Sequence, residues 1–307
     1  MISLHGHSSY SLLDASASIQ DIISTASKLG LSAIALTDYW WMYGIIDFYT
    51  NAKKNNINPL IGVDLPLIQT ISSTPPKNWE PKFATFLAKN YEWYLELLEL
   101  TTYANTKGLF NDIPRVDFKQ LSSLKNVYLI VGSHNSVLWD LILSWGSLNQ
   151  AEDLLSQLSE IIGPQNLLIE FNIQNFKKLP VFKVLRESLY KLKDLWTPII
   201  SSNYHYATAS QKEAFLASLE IKYWAGNIPH IFKHWDFHIL TQKEILDIAK
   251  KNQLDLSFVK QLIHNTEQLA NQINIDIPMG QILFPDYRPS PIIQQLYSKY
   301  QQQLDVE

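Results

Sequence analysis

The chain has 307 residues, 46% hydrophobic and 18% charged, with a formal net charge of −4. Those values suit one large soluble globular domain, or one with an appendage, and they lack the basic excess of a dedicated nucleic-acid binder. With no cysteine, disulfides and thiolate zinc sites are excluded, leaving His, Asp and Glu as the strong metal ligands. No basic, apolar leader precedes His5 and no apolar run approaches the length of a membrane span, so the expected location is cytoplasmic with no membrane partner.

Taken in order, Ile2–His7 is expected as the first strand. Side chains two apart share one face of a strand, so His5 and His7 converge on a point, with Asp14 just beyond. Paired imidazoles suit zinc, iron or manganese. Ile19–Leu29 has helical periodicity, with Gly30 as its C-terminal cap. Ala33–Asp38 is an apolar strand ending in a carboxylate, Ile45–Lys54 a helix, and Pro59–Leu65 a strand ending near Asp64. Ser72–Lys77 reads as a surface loop, Phe83–Ala88 as a strand and Tyr91–Tyr103 as a helix whose aromatic residues are core. Val127–Gly132, Asn166–Phe171 and Pro198–Ser201 complete the strands; His134 follows the first of these, and Asn203 and His205 the last.

Apolar strands separated by helices argue for parallel βαβ units buried on both faces. About seven such units within about 210 residues point to a barrel. His5, His7, Asp38, Asp64, His134, Asn203 and His205 all fall at or just past a C-terminal strand end, the rim on which such barrels build sites. Beyond residue 208 the pattern becomes helical: Gln211–Tyr223, Lys243–Lys250, Leu254–Gln272, a Pro-containing stretch, and a final polar helix at Ile292–Leu304.

These segments resemble, in order, the PHP (polymerase and histidinol phosphatase) domain at the N-terminus of the bacterial DNA polymerase III alpha subunit. The resemblance rests on LHGHSSYSLLD at 4–14, ALTDYWWMYGIIDFYTNAKKNNINPLIGVDL at 35–65, FLAKNYEWYLELLEL at 86–100 and SSNYHY at 201–206. It continues through DFHILTQKEILDI at 236–248 and NTEQLANQINIDI at 265–277. It implies an α/β fold: a distorted seven-stranded β/α barrel over residues 1–208, then a helical C-terminal extension over 209–307 leading toward a polymerase module. It also implies a rim cleft for divalent metals that hydrolyses phosphoesters in some members and is purely structural in others.

Carried over residue by residue, the resemblance makes His5, His7, Asp14, Asp64, His134, Asn203 and His205 the candidate ligand set. Tyr39 and Phe83 stand where the family carries histidines, and a phenol or a phenyl ring is a poor donor for zinc or manganese. Asp64 stands where the family has glutamate, its reach shorter by about 1.5 Å; Asn203 stands where it has aspartate. The expectation is therefore a degraded centre holding one divalent metal, zinc or manganese, or none. Trp40 and Trp41 are expected at the cleft mouth as a plug, Asp38 as an orienting or capping residue, Asn203 as a hydrogen-bonding partner of the loop carrying His205, and Glu170 as a solvated rim charge.

Two functions follow from the resemblance. One is a structural domain that braces a polymerase module and docks a proofreading exonuclease subunit, touching DNA only indirectly. The other is a residual single-metal phosphoesterase or 3′–5′ exonuclease. A free-standing small-molecule phosphatase has less support, because it would have no use for the polymerase-like C-terminal segments.

Overall fold

The computed structural model describes residues 2–71, 79–124, 127–138, 141, 148–172, 196–224, 227–280 and 289–304; the loop expected at Ser72–Lys77 lies outside them. The strands are β1 (Ala33–Leu36), β2 (Asn58–Ile68), β3 (Phe83–Leu87), β4 (Val116–Asp117), β5 (Tyr128–Val131), β6 (Leu167–Asn172) and β7 (Thr197–Ser201). They form one sheet in the order β1-β2-β3-β5-β6-β7, with β4 beside β2. Every residue of β1, β3, β5 and β6 is buried, as a sheet covered on both faces requires.

The pairing is not uniformly parallel. β1–β2 and β5–β6–β7 are parallel, but β3 runs antiparallel to both β2 and β5. A continuous apolar run reports burial and carries no direction, which is why the reversal was not legible. The reversal also serves the site, because it places Thr85 opposite Asp64.

Ile2–His7, expected as a strand, forms only an isolated bridge between Gly6 and Tyr204. Its extended backbone links the two ends of the sheet. Ala35 N donates to Ser3 O (3.0 Å) and Thr37 N to Gly6 O (2.8 Å) beside β1, while His7 N donates to Tyr204 O (2.8 Å) just after β7. The curled sheet thereby becomes a distorted barrel. Gly6 is required here by space: a Cβ would lie 1.9 Å from the Tyr204 ring, and that buried ring is held by its hydroxyl on Ala35 O.

Among the described residues the α-helices are α1 (Ile19–Lys28), α2 (Ile45–Lys54), α3 (Tyr91–Ala104), α4 (Phe118–Leu121), α5 (Leu148–Ile162), α6 (Lys212–Tyr223), α7 (His230–His234), α8 (Gln242–Lys251), α9 (Leu256–Gln272) and α10 (Pro291–Leu304). Gly30 takes φ +66° directly after α1, the left-handed stop its position suggests. On α3 the buried aromatic is Tyr94, with Leu97, Leu100 and Ala104; Tyr91, Trp93 and Tyr103 are half-buried. Helix α5, not among the expected elements, supplies the crossover that parallel neighbours such as β5 and β6 need.

Met1–Asp276 form one compact unit and Ile277–Glu307 a second. Within the first, α9 packs on the sheet: its Thr266 Oγ1 accepts from Ile200 N on β7 (3.0 Å), and its Asn265 Nδ2 donates to Pro198 O (2.9 Å). The second carries α10, whose Ile292, Leu296, Tyr297 and Tyr300 are exposed. No described helix is long and apolar enough to cross a membrane.

Because the Tyr204 ring is fully buried and tethered by its hydroxyl, Gly6→Ala is expected to destabilise the fold by about 1–3 kcal/mol. Urea denaturation measures this, and an unchanged midpoint would show that the Gly6–Tyr204 packing is not limiting.

Candidate metal centre

The two histidines of the N-terminal segment meet one carboxylate. Asp64 Oδ2 lies 2.8 Å from His5 Nε2 and 3.1 Å from His7 Nε2. These three residues, all buried, have donor atoms within 4.8 Å of one another. The far side of His5 is also held, with Nδ1 2.9 Å from Glu170 Oε2. Glu170 in turn accepts from Ser201 Oγ on β7. The expectation of a solvated rim charge fails for Glu170: only 1% of it is exposed. Its strand is buried on both faces, so a carboxylate there must find a partner inside.

A carboxylate behind a histidine fixes the ring and aims its other nitrogen, as second partners of metal-bound histidines do. The electrostatics are those of a compact charge cluster. Burial pulls His5 down, but Asp64 and Glu170 outweigh it and push it up to about 10. Burial raises Asp64, yet the His5 charge and the hydrogen bonds from both imidazoles hold it well below the usual carboxylate range. The proton on His5 thus occupies the place between carboxylates that a cation can take.

His205 and His134 approach the same centre. The His205 ring lies 4.6 Å from that of His7 and 6.3 Å from that of His134. His205 Nδ1 donates to the backbone oxygen of Asp14 at 2.6 Å, leaving Nε2 buried without a partner. Both ring nitrogens of His134 are likewise unpartnered, as are His7 Nδ1, Asp64 Oδ1 and both polar side-chain atoms of Asn203. Asn203 therefore does not tie down the loop that carries His205, contrary to expectation; its backbone takes φ +37° and its amide N donates to Ser201 Oγ. Burial, with the imidazoles around it, pulls His134 down to about 3 and holds His205 well below its ordinary value. Neutral imidazoles with a free lone pair are the form that binds a metal. Buried polar atoms without partners are rare in folded proteins, and this concentration fits a divalent cation.

Asp14 stands apart. Its Oδ1 is 2.5 Å from Lys222 Nζ on α6, so the carboxylate is engaged by a cation of the chain itself while its backbone orients His205. Asp38 orients its neighbours, accepting from Ser8 N, Ser8 Oγ and Ser11 Oγ at 2.6–2.7 Å. Tyr39 stacks on His7 with ring centroids 4.1 Å apart, and Phe83 packs on Tyr39 at 4.8 Å. The closest aromatic cover is thus Tyr39, with Phe215, Phe232 and Phe237 around His205 at 5.2–5.8 Å. The tryptophans stand further out. Trp40 rests on Phe83, and Trp41 stacks on Tyr43 while donating to Tyr10 O.

The PHP domain family model matches residues 3–174, and the chain belongs to that family. Similar curated proteins are DNA polymerase III alpha subunits. That of Borreliella burgdorferi is 42% identical over 119 residues, covering 38% of this chain and 10% of the relative. That of Bacillus subtilis is 25% identical over 299 residues, covering 94% of this chain and 24% of the relative. The chain therefore spans about a quarter or less of the length of these relatives. Among solved structures, an amidohydrolase from Chromobacterium violaceum with bound sulfate aligns with a TM-score of 0.45 and 12% identity, over 67% of this chain and 87% of that one.

Removing one member of a buried charge cluster leaves the others unpaired. Glu170→Ala is accordingly expected to cost the metal-free protein about 3–5 kcal/mol, measured by denaturation in EDTA. A loss below about 1 kcal/mol, the scale of a surface pair, would show that Glu170 does not anchor His5.

Proposed function

We propose that this chain serves as the N-terminal PHP module of a DNA polymerase III alpha-type protein, acting in the cytoplasm as a structural brace with a metal centre of reduced nuclearity. The observation that carries the reading is the alignment of 94% of the chain with only 24% of a replicative polymerase subunit. Tyr39 and Phe83, packed inside the centre, support the reduced donor set. The barrel, read as 1–208, would hold the centre. The helical part, read as 209–307, would lead toward the polymerase module, and DNA would be met only through that module. A proofreading exonuclease subunit is a second candidate partner.

His5, His7 and Asp64, joined by His205 and His134, are the residues that would hold one zinc or manganese ion. Such an ion supplies Lewis acidity toward a phosphate oxygen and lowers the pKa of bound water. The chain's own contribution is positional. Glu170 and the Asp14 carbonyl aim the two imidazoles, while Tyr39 and the phenylalanines keep bulk water away. The unpartnered Nε2 of His205 favours a second reading, a residual single-metal phosphoesterase or 3′–5′ exonuclease. Hydrolysis of a 3′-labelled single strand in manganese, lost in His7→Ala, would support it.

The structural reading is tested by mixing the chain with a matching polymerase module. A stoichiometric complex below about 10 μM is expected on gel filtration; no association at that concentration contradicts it. The place of Asp14 has its own test. A partly exposed ion pair is worth at most about 1 kcal/mol, so Lys222→Met is expected to free Asp14 and tighten metal binding roughly fivefold in calorimetry. Unchanged affinity would remove Asp14 from the ligand set.

A further inference from the structure

A polar cavity lies at the other end of the sheet from the metal centre. Thr85 faces Asp64 across the β2–β3 ladder, and Lys89 follows four residues later, about 13 Å along extended chain. There Lys89, Tyr128, Gln165, Thr197, Gln268 and Gln272 help line a cavity of ≈ 330 Å³. Tyr128 and Thr197 open β5 and β7, Gln165 lies in the 3-10 turn Pro164–Asn166 that leads into β6, and the last two belong to α9. Nothing in the metal centre uses this face.

Lys89 is the charged group of the cavity, and its partners are neutral. Its Nζ donates to Asn166 Oδ1 at 2.5 Å. It also lies 4.0 Å from the centroid of the Tyr128 ring and 4.8 Å from that of Trp93. Among the described residues no carboxylate pairs with it. Half-burial without an anion pulls it down to about 8. Ring faces and an amide oxygen offset part of its desolvation, but a partly buried cation is completed by an anion. Around it stand donors: the Thr197 hydroxyl and the amides of Gln165, Gln268 and Gln272. Gln272 Oε1 already accepts from Tyr128 OH at 2.9 Å, so the donor half of that amide remains to be used.

We propose that this cavity binds a small oxyanion, the phosphate or carboxylate head of a polar metabolite, with Lys89 as its counter-charge. The volume sits at the small end of ligand sites, about 300–1,000 Å³, which admits a small molecule and excludes a folded partner. The site is independent of the metal centre and of the polymerase reading.

The test uses the full chain stripped with EDTA, so that the metal centre takes no part. Thermal unfolding is followed with inorganic phosphate, acetate or chloride at equal ionic strength. A saturable rise of about 3 °C with phosphate or acetate is expected, abolished in Lys89→Met. A response to phosphate alone assigns a phosphate head, and one to acetate alone a carboxylate head; either supports the site. Phosphate also stabilises proteins generally by exclusion from their surface, so a rise of equal size in Lys89→Met overturns the proposal, as does no rise with either anion. Loss of Lys89 removes a partner of Asn166 and can itself weaken the fold. Gln268→Leu, at an exposed position of α9, therefore serves as a second variant expected to weaken the response severalfold; an undiminished response there also overturns the site. Carbon NMR of the Lys89 side chain gives a direct reading: its titration midpoint is expected to rise by about one unit when anion binds, and an unmoved midpoint excludes contact.

Discussion

His5 lies between two buried carboxylates, Asp64 on β2 and Glu170 on β6, and the barrel is organised around that arrangement. A charged imidazole alone in an apolar interior would lose its proton, and two lone carboxylates would gain one. Brought together they offset one another's burial, which requires close and lasting contact among three distant parts of the chain. The N-terminal segment must then be threaded between β1 and the end of β7, which its hydrogen bonds with Ala35, Thr37 and Tyr204 accomplish. Gly6 leaves room for the Tyr204 ring, so the spacing that pairs the histidines and the packing that closes the barrel have one cause.

The same centre contains both donors and aromatic rings. Five buried residues (His7, Asp64, His134, Asn203 and His205) keep polar atoms without partners, while the rings of Tyr39 and Phe83 pack among them. Stacking Tyr39 on His7 gives dispersion and rigidity but no lone pair suited to a metal. A polynuclear site needs bridging anions between cations. Asp64 is the carboxylate on the two histidines, Glu170 is turned to the back of His5, and Asp14 is held by Lys222. That distribution of charge suits one cation better than several.

Much of this was legible in the chain. The buried strands, α2 at Ile45–Lys54 and the convergence of His5, His7 and Asp64 follow from apolar runs and from residue spacing. The direction of β3 was not legible, because burial on both faces looks the same in either orientation. Glu170 was missed for a related reason. A carboxylate at the end of a strand reads as a rim charge unless its partner is known, and His5 lies 165 residues away in sequence. The Asp14–Lys222 pair joins residues 208 apart, and no local pattern announces it. The one signal for Glu170 was its position within an uninterrupted buried strand, where an unpaired charge would be too costly to keep.

Anomalous X-ray scattering from crystals of the full chain grown with zinc or manganese tests most directly whether the clustered histidines and Asp64 form a centre for one cation. A single strong peak is expected within bonding distance of His5 Nε2, His7 and Asp64. Two or three peaks bridged by carboxylates, or no peak at saturating metal, would contradict it.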